Sequence, residues 1–297
     1  MKKMTTLILA LVLAMSFAAQ AQAAPLQVAV GVAPVAYFAK KIGGALIQAT
    51  VLVPGGADAH TYEPKPSQMR GLAASALYLS TGLEFEEAWE KRLKSANPRL
   101  AYVHVAEGVK RLPMPEGHED HGHKQAGKGR HDEAESDPHV WVAPSSARIM
   151  AANIARALAG ADPGNAKAYE ANLAGFLREV DALDAQLRGV FAAAPADKRG
   201  FLVFHPAWGY LAKDYGLTQQ AIEFEGKEPS PRRLAALISQ AKAKGYKVVF
   251  VQPQMSRRTA ETIAQAIGAR IVVADPLAED WAGNLKAVAE GFRSALK

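Results

Sequence analysis

Residues 163–193 read PGNAKAYEANLAGFLREVDALDAQLRGVFAA. Apolar side chains recur along this stretch at Tyr169, Leu173, Phe176, Leu177, Val180, Leu183, Leu187, Val190 and Phe191. Steps of three and four place them on one face of a helix. Some thirty residues at about 1.5 Å each make a rod of roughly 45 Å, longer than one small lobe. The spacing therefore predicts a connecting helix, 161–193, with a separate lobe on either side.

The flanking sequence supports that division. On the amino-terminal side, strands are expected at Leu26–Val30, Gln48–Val53, Ala76–Leu79 and Leu100–Val105. Helical patterns lie between them: a Pro34-led stretch stopped by Gly43-Gly44, Pro66–Ala74, and Phe85–Ala96. Proline near a helix start and glycine near its end is the common asymmetry. Ser145 or Ser146 is expected to cap a further helix that reaches Ala159. On the carboxy-terminal side, strands at Phe201–Phe204, Thr218–Ile222, Lys247–Val251 and Arg270–Val273 alternate with helices at Trp208–Tyr215, Pro231–Lys244, Arg257–Ile267 and Trp281–Leu296. Alternation of this kind argues for parallel β-α units. The expected fold is thus α/β: an amino-terminal lobe over 24–160 and a carboxy-terminal lobe over 194–297. Each is built on a mostly parallel sheet, and the long helix joins them.

Two segments stand outside that pattern. Residues 1–23 carry Lys2 and Lys3, an apolar run and Ala21-Gln22-Ala23, and read as a secretory signal peptide. The apolar run is too short for a membrane span. Residues 115–136 are rich in glycine, histidine and charge and nearly devoid of apolar residues, which predicts a flexible loop. The chain has no cysteine, hence no disulfide and no lipid-carrying thiol. Any metal chemistry must come from histidine and carboxylate. Lys and Arg total 35 against 29 for Asp and Glu, but they form no basic stripe interleaved with aromatics, so nucleic-acid binding has little support.

Ligands of open α/β sheets bind beyond the carboxyl ends of the strands. His205 follows FLVF, Asp275 follows IVVA, and His60 follows VLV by a short loop. His139 lies in DPHVWVAP, just past Pro138, where a strand-like exit is expected. Three imidazoles and one carboxylate, two groups from each lobe, would make a four-coordinate set in the cleft, and such a set suits Zn²⁺. Asp58, Glu63 and Asp137 are candidates to accept from ring N–H groups. Trp141 and Trp208 flank ligands and are candidates for an apolar shell. His104, inside LAYVHVAEG, reads as a strand residue.

DAHTYEPKPS, DPHVWVAP, FHPAWGYLAKDYGL, and VVFVQPQMS with ADPLAEDW resemble the metal-specific substrate-binding proteins of bacterial ABC transporters, in their zinc-uptake branch. The likeness covers nearly the whole chain beyond residue 23. It implies His60, His139, His205 and Asp275 as ligands of a transported Zn²⁺, with Asp275 or a water completing the shell. Manganese-type relatives carry glutamate where this chain has His205. The resemblance further implies a periplasmic monomer working with an inner-membrane ABC permease and its ATPase, with room for a periplasmic zinc chaperone. His118, His121, His123 and His131 would form a secondary, weaker zinc-capture stretch. A zinc hydrolase with an open coordination position is the rival reading, weakened by the absence of HExxH. A manganese-binding relative and a surface adhesin are further alternatives.

Overall fold

The computed structural model describes residues 24–114, 136–224, 227–253, 255 and 257–296. The expected signal peptide and the four histidines between 118 and 131 fall outside those residues.

The first lobe holds β1 (Leu26–Val30), α1 (Ala33–Gly43), β2 (Ile47–Val51), α2 (Pro66–Leu72), β3 (Leu77–Ser80), α3 (Glu84–Ala96) and β4 (Ala101–His104). It is completed by α4 (Pro144–Ala161). A short 3-10 turn, Pro163–Asn165, leads into α5, Ala166–Ala192, a 27-residue helix. The second lobe holds β5 (Gly200–Val203), α6 (Gly209–Tyr215), β6 (Thr218–Ala221), α7 (Pro231–Ala243), β7 (Val248–Val251), α8 (Arg257–Ile267), β8 (Arg270–Val273) and α9 (Trp281–Ala295).

The two sheets have the same design. Their orders are β2-β1-β3-β4 and β6-β5-β7-β8, and every pairing is parallel. The central strands β3, β5 and β7 are buried at every position. Strands covered on both faces read as continuous apolar runs rather than alternating ones. In each sheet the strand order reverses at the first strand, which opens a crevice at the carboxyl ends. The two crevices face one another.

The long helix turns Tyr169, Phe176, Val180, Leu183, Leu187 and Phe191 inward, as its periodicity predicts. Leu173, Leu177 and Val190 are partly buried against the same core. That core is continuous across the lobes, running from Val28 in β1 to Phe292 in α9. Trp281, at the start of α9, stands edge-on to Phe38 of α1 with centroids 5.0 Å apart, and it also meets Tyr37 and Phe176.

Two local expectations fail. Ser145 and Ser146 do not cap α4: Pro144 occupies its first turn and Ala143 is the cap residue, so both serines sit inside the helix. Proline, lacking an N–H that the first turn would leave unpaired, starts the helix two or three residues early. His139 does not leave Pro138 on a strand. Its φ of −76° and ψ of 45° lead into a 3-10 turn, Val140–Val142. The Asp137 carboxylate causes this, because its Oδ1 accepts the His139 backbone N–H at 2.9 Å and curls the chain.

Candidate metal centre

Three histidines from three connections meet between the lobes. His60 comes from the loop after β2, His139 from the turn before α4, and His205 from the loop directly after β5. Their Nε2 atoms form a near-equilateral triangle: 3.2 Å from His60 to His139, 3.1 Å from His60 to His205, and 3.3 Å from His139 to His205. Among the described residues, these three form the group whose potential ligand atoms all lie within 4.8 Å of one another.

Each ring backs onto a carboxylate through its other nitrogen. His139 Nδ1 donates to Asp137 Oδ1 at 2.8 Å, His205 Nδ1 to Glu223 Oε1 at 2.6 Å, and His60 Nδ1 to Glu84 Oε2 at 3.3 Å. An ionised carboxylate only accepts, so the shared proton belongs on Nδ1 and the Nε2 lone pair faces inward. Three inward lone pairs cannot satisfy one another, whereas a cation satisfies all three. Zn–N bonds of about 2.0–2.1 Å at tetrahedral angles put the nitrogens about 3.3–3.4 Å apart, which is nearly the triangle present here.

The surrounding chemistry keeps these rings available as ligands. Burial pushes the His139 ring down to about 4, against the opposing pull of Asp137, so the ring is neutral at ordinary pH. Burial also raises the Glu84 carboxyl, but the hydrogen bond and charge of His60 bring it below its ordinary value, and it stays ionised. Two carboxylates of the site, Asp137 and Glu223, are themselves nearly inaccessible. Their charge would offset that of a divalent ion bound at the imidazole nitrogens.

Other side chains fix the loops. Gln252, buried after β7, accepts the His205 N–H and donates to the His205 carbonyl at 2.7 Å. Asp58 accepts the His60 N–H at 2.9 Å, so it shapes the loop and leaves the ring to Glu84. Glu86 is wholly buried, and its Oε2 accepts the N–H groups of Thr81, Gly82 and Leu83 as well as the Ser80 and Thr81 hydroxyls. Its Oε1 accepts from Tyr78. That anchor sets the entry to α3, and hence Glu84.

A pocket of about 30 Å³ borders the triad, lined by Ala57, Ala59, Trp141, Met255, Pro276 and Leu277 among others. Trp141 thus belongs to the apolar wall. Trp208 does not line the pocket; it is core, packed near Phe250 with centroids 6.3 Å apart. Asp275 stands outside the triad's group, and its Oδ1 accepts the Leu277 N–H at 2.9 Å. Glu84 and Glu223 were not nominated from the sequence. Both follow strands, β3 and β6, beyond the carboxyl ends that also present His60 and His205.

The fold and this triad define a two-lobed α/β binding protein that takes a metal ion between its lobes. The comparisons narrow the class. Residues 28–295 match the family model described as ZnuA, zinc-uptake complex component A, periplasmic, and the chain belongs to that family. It is 30% identical over 248 residues to the high-affinity zinc uptake system protein ZnuA of Bacillus subtilis (strain 168), covering 82% of this chain and 76% of that one. It is 30% identical to the zinc-binding protein AdcA of Streptococcus pyogenes serotype M3, of which it spans 49%. A ZnuA crystal structure is similar with a TM-score of 0.82 at 41% identity, covering 92% of this chain and all of the other. A zinc-bound ZnuA deletion mutant gives 0.81 at 42% identity, covering 92% and 98%.

Proposed function

We propose that this protein captures Zn²⁺ through the Nε2 atoms of His60, His139 and His205 and delivers it to an inner-membrane ABC permease driven by its ATPase. The observation that carries the reading is the Nε2 triangle, 3.1–3.3 Å on a side, with each ring backed by a carboxylate. Zinc is the cargo, held and released unchanged, which accords with a family of transport components rather than enzymes. Asp275 is the proposed fourth ligand. It lies two residues beyond β8 and adjoins Pro276 and Leu277 of the pocket wall, and its Oδ1 accepts the Leu277 N–H at 2.9 Å. A water is the other donor that would complete a tetrahedron.

The proposed setting is the periplasm, reached through a cleaved segment 1–23, with the protein acting as a monomer. The histidines at 118, 121, 123 and 131 are proposed as a weaker capture stretch. Zinc titration against a competing chelator tests the main site. His139→Ala should bind about 100-fold more weakly or worse, since it removes a ligand outright. Equal affinity in the wild type and the variant would contradict the assignment.

A further inference from the structure

His139 and its carboxylate belong to the first lobe, yet their support comes from the second. Asp137 holds the His139 ring and backbone through one oxygen, Oδ1. Its other oxygen lies against Gly209, the first residue of α6: a Cβ built there would sit 2.7 Å from Asp137 Oδ2. The next residue, Tyr210, is 4% exposed, and its hydroxyl donates to the Asp137 carbonyl at 2.8 Å. The same hydroxyl accepts the Leu112 N–H at 3.1 Å, while the Leu112 carbonyl accepts the Asp137 N–H at 2.8 Å. One phenol oxygen therefore closes a ring of hydrogen bonds around the Asp137 backbone. Burial pushes the Tyr210 hydroxyl up, so it remains a protonated donor.

Helix α6 begins four residues after His205, so the element that supports Asp137 directly follows the loop that carries the third histidine. From these contacts we infer that Gly209 and Tyr210 are positioning residues for zinc capture: they seat Asp137 from the opposite lobe and so hold His139 in register with His205. The inference rests on the proposed zinc site. It assigns the start of α6 a role beyond packing, because a bare glycine surface and one hydroxyl both converge on the residue that orients the ligand. Gly209 has an ordinary backbone conformation among the described residues, so it is the close approach of Asp137, not backbone freedom, that excludes a side chain here.

Tyr210→Phe and Gly209→Ala test it in the full chain, with His139→Ala as reference. Zinc affinity is read by chelator competition, and the metal-free ring is read by the Nδ1–H proton resonance of His139. Loss of a direct partner to a ligating histidine costs about 10–100-fold in affinity. Tyr210→Phe, one step further out, should cost about threefold to tenfold, and Gly209→Ala, which pushes on the carboxylate itself, about tenfold or more. Both should move the His139 resonance and leave that of His60 in place. Wild-type affinity with an unmoved His139 resonance would overturn the inference, as would weaker binding with that resonance unmoved, which is the mark of general loosening. If one variant does not fold, the other decides. If His139→Ala binds zinc like the wild type, the site itself is misassigned; if only His139→Ala loses zinc, the site stands and the role of α6 falls.

Discussion

His139 shows how one side chain's surroundings set its chemistry. In the unfolded chain it titrates near 6.5, and in the folded protein burial brings it to about 4. Between those values the unfolded chain holds the proton and the folded one does not. Stability of the metal-free protein should therefore fall as pH drops from about 6.5 toward 4, by up to about 3 kcal/mol. Urea midpoints at pH 7 and pH 4.5 measure it, and His139→Gln should remove most of the difference. An equal drop in that variant would show that other groups govern the acid limb. At this scale the three clustered histidines are legible because each follows a strand or a proline turn. Two of their carboxylate partners are not. Glu84 lies 24 residues from His60 and Glu223 lies 18 from His205, so no local pattern joins them. Asp137, two residues from His139, was nominated because it is local.

Secondary structure was readable almost throughout, since buried parallel strands and one-faced helices have distinct periods. Arg257–Ile267 and Arg270–Val273 have the expected bounds, and most other elements shift by one or two residues at an end. The exceptions arise where a side chain competes with the backbone pattern, as at Asp137, or where proline sets the first turn, as at Pro144. What no single element discloses is how the lobes are joined beside the site. Trp141 Nε1–H donates to the Pro276 carbonyl at 2.7 Å, and Trp281 Nε1–H donates to the Trp141 carbonyl at 2.7 Å. These two bonds tie the turn that follows His139 to Pro276, next to Asp275, and to the start of α9. Trp281→Ala removes one of them and empties the aromatic cluster of α1, α5 and α9, so it should destabilise the protein by about 3–5 kcal/mol. Denaturant unfolding checks this; a loss under about 1 kcal/mol would mean that the cluster carries little of the interlobe packing.

For the whole molecule, a continuous core and a 27-residue helix shared by both lobes resist a wide hinge motion. Capture and release should then proceed through small loop movements around the triad. Solution scattering from metal-free and zinc-loaded protein should superpose, and a clear contraction on loading would argue for hinge closure instead. The two-lobed plan was legible from the helix's length and the repeated β-α alternation. The meeting of three distant loops on one point was implied by the family resemblance and is present in the fold.

X-ray absorption at the zinc edge, on protein loaded with half an equivalent of zinc, reads the coordination shell itself. The expected shell has three imidazole nitrogens at about 2.0–2.1 Å and one oxygen donor. A shell with fewer than three imidazoles, or one made mainly of oxygen, would contradict it.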